Sequence, residues 1–160
     1  MNTTPERLTV ARLTELAGRT LAPTEWITVT RELIGQFADC TGDHQFIHVD
    51  AERTRAQAGF PDVLAHGFLL LSLAASAKPA DEPLIEDAAL MLNYGIDRLR
   101  FISPVFAGQR VRYRTVITAA ETREHGRMLL KRELTLEVEG RDEPALVATL
   151  LVMVLPQRPD

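Results

Sequence analysis

The 160-residue chain has one cysteine, one tryptophan, two tyrosines and no apolar run long enough to span a bilayer. Each shortage excludes something. Cys40 alone cannot close an internal disulfide, which fits a reducing cytoplasm. The longest apolar run, Gly67 to Ala77, falls short of the ~20 residues of a membrane helix, so no membrane is expected as a partner and the run is predicted to be a helix buried in protein. Basic residues are outnumbered, 18 Lys and Arg against 22 Asp and Glu for a net charge of −4, which argues against nucleic acid as a partner. Met1 to Arg7 holds no apolar core followed by a small-residue cleavage site, so no signal peptide is expected and a cytoplasmic location is. What is present is 46% apolar and 25% charged residues, the profile of one globular domain over 1–160.

Along the chain, Val10, Leu13, Leu16 and Ala17 predict a helix over Thr9 to Ala17, closed by Gly18. Trp26 to Thr30 alternates and is β-branched, as a strand should be. Thr30 then caps an amphipathic helix over Arg31 to Cys40, ended by Gly42. Asp50 caps a short polar helix over Ala51 to Ala58, closed by Gly59, and Phe60-Pro61 leads into the apolar helix near Ala65 to Ala77. Lys78 to Glu86, rich in Pro, Asp and Glu, is predicted to be an exposed loop. Strands follow at Met91 to Phe101, Arg110 to Ala120, Met128 to Glu139 and Ala145 to Leu155, the last apolar on both faces and therefore either interior or covered by a partner. Gly126 and Gly140-Arg141-Asp142 mark hairpin turns. The layout is α+β, a curled antiparallel sheet of about five strands around a buried central helix. One small sheet cannot cover that helix on every side, so a homodimer is expected.

The stretch from Ala38 to Ala77 carries the chemistry. Asp43 offers a carboxylate, and His48 can take or give a proton near neutral pH. On one helix the two would point about 140° apart, but in an irregular loop begun by Gly42 they can converge. Together they can activate a water and protonate a carbon, each proton transfer being worth roughly 10²–10⁴ in rate. Gly67, at the start of the apolar helix, can bring an unpaired N–H to a substrate oxygen. Each assignment has a plainer alternative: Asp43 caps a turn, His48 is a satisfied core histidine, and Gly67 permits close helix–sheet packing. His44 and His48, four apart with Asp43, Asp50 and His66 nearby, raise a metal site. The loop reading removes the helical geometry such a pair needs, so no metal is expected. Cys40 lacks a visible base and reads as a packed thiol. Arg98, Arg100, Arg110, Arg112 and Arg114 read as a solvated sheet face ahead of a phosphate site.

Phe37, then Thr41-Gly42-Asp43-x-x-x-Ile47-His48, then Ala65-His66-Gly67 ahead of an apolar helix, resembles the MaoC-like dehydratases, which include the (R)-specific enoyl-CoA hydratases and have a hot-dog fold. The resemblance runs from about Trp26 to Leu155. It implies Asp43 and His48 as the catalytic pair and Gly67 as the backbone oxyanion donor. The family loop commonly reads Asn-Pro where this chain has Gln45-Phe46, a variant that looks like the NodN-like branch. A serine found in some members corresponds to Ala75, with Ser72 nearby. The implied activity is reversible hydration of trans-2-enoyl thioesters carried on coenzyme A or an acyl carrier, enoyl-CoA to (R)-3-hydroxyacyl-CoA in fatty acid metabolism, with no cofactor beyond the coenzyme A of the substrate. A hot-dog acyl-CoA thioesterase and a non-catalytic acyl-binding subunit remain as alternatives from other classes.

Overall fold

Val10, Leu13 and Leu16 recur every three residues, and the chain obliges with a 3₁₀ helix over Val10–Leu16 in place of an α-helix. In a helix of three residues per turn such positions eclipse, so all three side chains point into the core. The computed structural model describes residues 6–157. Met1 to Pro5, most of the stretch read for a signal peptide, lie outside the described residues.

Helix α1 (Arg31–Thr41) forms as the spacing predicts: the Thr30 hydroxyl accepts from the Leu33 N–H at 3.1 Å, and Ile34 and Ala38 are buried. Gly42 ends it in the left-handed region at φ 75°, a conformation that costs glycine nothing. The one-turn helix α2 (Phe46–Val49) follows and then α3 (Ala51–Arg53), capped by the Asp50 carboxylate and widened into a π-turn over Thr54–Ala58. Helix α4 (Gly67–Leu73) is shorter than the predicted Ala65 to Ala77. After it the chain tightens, Ala74 N–H bonding the Leu71 carbonyl. That shift frees the Leu70 carbonyl, which accepts a hydrogen bond from the buried Tyr113 hydroxyl.

Strands β1 (Arg7–Leu8), β2 (Arg19–Thr20), β3 (Ile27–Thr28) and β4 (Leu84–Ile85) are short; β5 (Ala88–Phe101), β6 (Arg110–Thr122), β7 (Met128–Val138) and β8 (Leu146–Pro156) are long. The sheet has six strands, in the order β2-β6-β7-β8-β5 with β3 also on β6, and all its pairings are antiparallel. Strand β8, apolar apart from Thr149, takes the interior one of its two predicted positions. The sheet packs Tyr113, Leu134, Leu136 and Leu146 against Leu69 and Leu70 of α4, each buried leucine contributing about 1.5–3 kcal/mol. Its outer face carries the arginines, with Arg112 and Arg114 both on Glu137 and Arg112 over the Trp26 ring, as a solvated face should.

As expected of a helix that one small sheet cannot cover on every side, α4 leaves Phe68 64% exposed, with the Phe101 ring of β5 5.7 Å from it. Another expectation fails in an instructive way. The segment 78–86 is not a free loop. Its Pro79 and Pro83 are buried, Leu84–Ile85 pairs with Arg7–Leu8, and Asp81 accepts from the Ala22 N–H at 2.8 Å. Its acidic residues serve as anchors, Asp81 for a backbone donor and Glu82 and Glu86 for Arg132 and Arg7. Among the described residues, no helix is long and apolar enough to cross a membrane.

Candidate active site

The loop that α1 releases at Gly42 turns back on itself at once. Asp43 stands in that loop with its side chain 56% exposed. His48 was expected in irregular chain but sits on α2, whose single turn carries the ring inward. The correction preserves convergence, because α1 and α2 are separate helices with the loop 43–45 between them. Two further bonds hold α2 in place: the Leu64 N–H donates to the Ile47 carbonyl at 2.8 Å, and the buried Thr54 hydroxyl donates to the Phe46 carbonyl at 3.1 Å.

His48 Nδ1 lies 2.6 Å from the Leu64 carbonyl. A carbonyl only accepts, so Nδ1 bears the proton and Nε2 is the basic nitrogen. Burial pushes the His48 pKa down, and His66 adds to that, while the Leu64 carbonyl and Asp43 oppose it. A neutral imidazole with a free Nε2 is the form a general base needs.

His66 enters the sequence reading only as a neighbour of a possible metal set and as part of the Ala65-His66-Gly67 motif, with no role of its own. Its ring stacks on His48 with centroids 3.7 Å apart, and the Phe37 ring lies 5.1 Å from it. Its Nε2 lies 3.1 Å from the Asp43 carbonyl and 4.0 Å from the Asp43 carboxylate. The other nitrogen, Nδ1, is buried without a hydrogen-bond partner among the described residues, which costs about 1–3 kcal/mol. The motif holds the histidine in place beside Gly67, but only the fold brings it onto His48. One ligand-type atom each from Asp43, His48 and His66 lies within 4.8 Å of the others.

That trio is a poor metal site. Imidazole lone pairs lie in the ring plane, and two rings only 21° from parallel do not aim at one ion between them. His44 turns away to Asp39, 2.8 Å from its Nε2, so the His44–His48 pair does not form. Cys40 is exposed on α1 and is not the packed thiol expected. The amphipathic face of α1 that is buried is the one bearing Ile34 and Ala38.

Gly67 opens α4, and among the described residues no acceptor takes its N–H, as expected of a first-turn donor. A Cβ at this position would lie 2.8 Å from the Phe101 ring of β5, so the glycine is also required for packing. Beyond Gly67, a cavity of about 1120 Å³ lies between the α4 end of the chain and the sheet. Leu71 and Ser72 line it; Asp43, His48 and Gly67 do not. Helical rise places Leu71 about 6 Å from Gly67 along the axis.

An antiparallel sheet packed on one short helix is a hot-dog fold, and here an acid and an imidazole converge beside that helix's first residue. The chain belongs to the MaoC-like dehydratase family, whose MaoC like domain matches residues 12–139. It is 41% identical over 147 residues to Nodulation protein N of Rhizobium leguminosarum bv. viciae, covering 92% of this chain and 91% of that one. It is 38% identical over 143 residues to 3-hydroxyacyl-thioester dehydratase Z of Mycobacterium tuberculosis, covering 89% and 93%. Among solved structures, the monoamine oxidase regulatory protein from Archaeoglobus superposes with a TM-score of 0.77 at 22% identity over 99% of both chains. The (R)-hydratase from A. caviae does so with 0.65 at 21%, over 89% of this chain and 96% of that one. At these identities the structures establish the fold.

Proposed function

We propose that the chain reversibly hydrates trans-2-enoyl thioesters, converting enoyl-CoA to (R)-3-hydroxyacyl-CoA as an enzyme of fatty acid metabolism in the cytoplasm. The observation that carries this reading is His48: a buried ring whose Nδ1 is held by the Leu64 carbonyl, with Nε2 left basic beside the Asp43 carboxylate. Family membership and the similarity to a 3-hydroxyacyl-thioester dehydratase support it.

In this mechanism a water is held between Asp43 and His48. Asp43 takes a proton from the water as the oxygen attacks C3 and passes it to the unprotonated Nε2 of the neighbouring His48, which delivers that same proton to C2. The Gly67 N–H donates to the thioester oxygen as enolate character builds, where one such donor is worth about 10²–10³ in rate. His66 positions the Asp43 backbone. The acyl chain runs past the first turn of α4 toward the cavity beyond Leu71. Neither a metal nor a redox cofactor takes part.

The active form is a homodimer in this reading. Strand β5 lies at the edge of the sheet, with Leu90, Met91, Leu92 and Tyr94 between 46% and 63% exposed. A long apolar edge strand pairs with another chain or aggregates, and a partner there would also shield Phe68 and Phe101 near the site.

The test is to offer the purified protein short and medium enoyl-CoA esters and follow loss of the conjugated thioester absorbance. Hydration without release of free thiol is the expected result. Thiol release would make it a thioesterase, and binding without turnover an acyl-binding subunit.

A further inference from the structure

Strand β7 turns six alternate residues inward, and five of them, Met128, Leu130, Leu134, Leu136 and Val138, are buried and apolar. The sixth is Arg132. Its neighbours across the strands are Ile117 on β6 and Leu150 on β8, and all three line the 1120 Å³ cavity. The arginine therefore stands on the inner wall of the sheet, with only 17% of its side chain exposed.

Placing a guanidinium on an apolar wall is costly unless its donors are used. Glu82 reaches it from the pinned segment 78–86, a single carboxylate oxygen lying 2.9 Å from Nη2. A guanidinium has five N–H donors, so this contact leaves most of them without a protein acceptor among the described residues. The pair's opposite charges cancel. At Arg132 the wall thus presents hydrogen-bond donors whose charge Glu82 offsets, Lys78 being the other charged side chain that lines the cavity, and a carboxylate reaching Arg132 would meet Glu82.

We propose that the Arg132–Glu82 pair is a specificity determinant that selects acyl chains bearing a neutral oxygen, keto or hydroxyl, in their distal half over plain hydrocarbon chains. The inference rests on the hydratase reading only for the direction in which the chain enters. A plain chain packed against Arg132 strips water from its N–H groups and replaces it with nothing, whereas a carbonyl oxygen accepts from them. Sites built to hydrogen-bond a ligand oxygen discriminate against the analogue that lacks it.

Calorimetric titration with unreactive thioether analogues of dodecanoyl-CoA tests this without requiring turnover. The probes are the plain chain, chains with a keto oxygen at successive distal carbons, and a chain ending in a carboxylate. The wild-type protein is expected to bind one keto analogue about tenfold more tightly than the plain chain, equivalent to about 1.4 kcal/mol. Arg132→Met is expected to erase that preference, and Glu82→Gln to raise affinity for the terminal carboxylate. Equal binding of plain and keto chains by the wild type overturns the proposal, as does a preference that survives Arg132→Met. If that variant does not fold, the wild-type comparison still decides. A keto preference in a protein that hydrates nothing would overturn the hydratase reading alone. Hydration of plain chains with no keto preference would overturn only the role of Arg132.

Discussion

The corner holding His48 and the edge formed by β5 solve opposite problems. At the corner most polar groups find partners within the chain, His66 Nδ1 excepted: Leu64 holds His48, Asp43 engages His66, and Thr54 secures Phe46. The edge leaves its apolar groups open, with Tyr94 at 63% and Leu90 at 55% exposure. Polar geometry is short-ranged and can be completed by a few neighbouring residues, whereas covering a 14-residue strand takes an area that one domain of this size lacks. The residues of the proposed chemistry are brought together by one chain, whereas the apolar edge is left open by it.

The largest effect should come from the corner. Asp43→Asn and His48→Gln are each expected to lower hydration turnover by roughly 10²–10⁴ with an unchanged melting temperature. Near-full activity in either variant would remove that residue from the mechanism. Gly67→Ala should come next, because its Cβ drives into the Phe101 ring. Adding Phe101→Ala makes room while leaving the amide in place. Activity restored by the second change would show that the glycine serves packing and the N–H serves the substrate.

At the edge, Met91→Glu with Tyr94→Lys should convert a dimer to a monomer in size-exclusion light scattering. A wild-type monomer would break the comparison. Between the two regions, Tyr113→Phe leaves the Leu70 carbonyl buried without its donor and should cost about 1–3 kcal/mol in urea unfolding. The smallest effect is in pH. Because burial lowers the folded-state pKa of His48, the unfolded chain binds the proton more readily. Stability should fall as pH drops through and below the ordinary histidine value of about 6.5. The acid limb of the activity profile should likewise lie below that value.

Much of this was legible beforehand, for identifiable reasons. Helix α1 announced itself through the Thr30 cap, the apolar spacing of Leu33, Ile34 and Phe37, and the Gly42 stop. The long strands did so through alternation, and Asp43 and His48 through their place in a motif. Other features were hidden because their cause lies far along the chain. The pairing of Leu84–Ile85 with Arg7–Leu8, the turning of Cys40 to solvent and the stack of His66 on His48 depend on surroundings that no local pattern encodes. Arg132 shows the limit most clearly, since one charge in an apolar alternation reads as an irregularity until strands on both sides fix its direction.

Local conformation and the supply of chemistry were therefore set by the residues themselves, because caps, periodicities and turn glycines act within a few positions. Which side chains meet was decided only by folding. Asp43 and His48 converge because Gly42 turns the chain and the Leu64 carbonyl, sixteen residues on, orients the ring. The open edge of β5 was decided in the same way, since among the described residues no strand but β8 pairs with it.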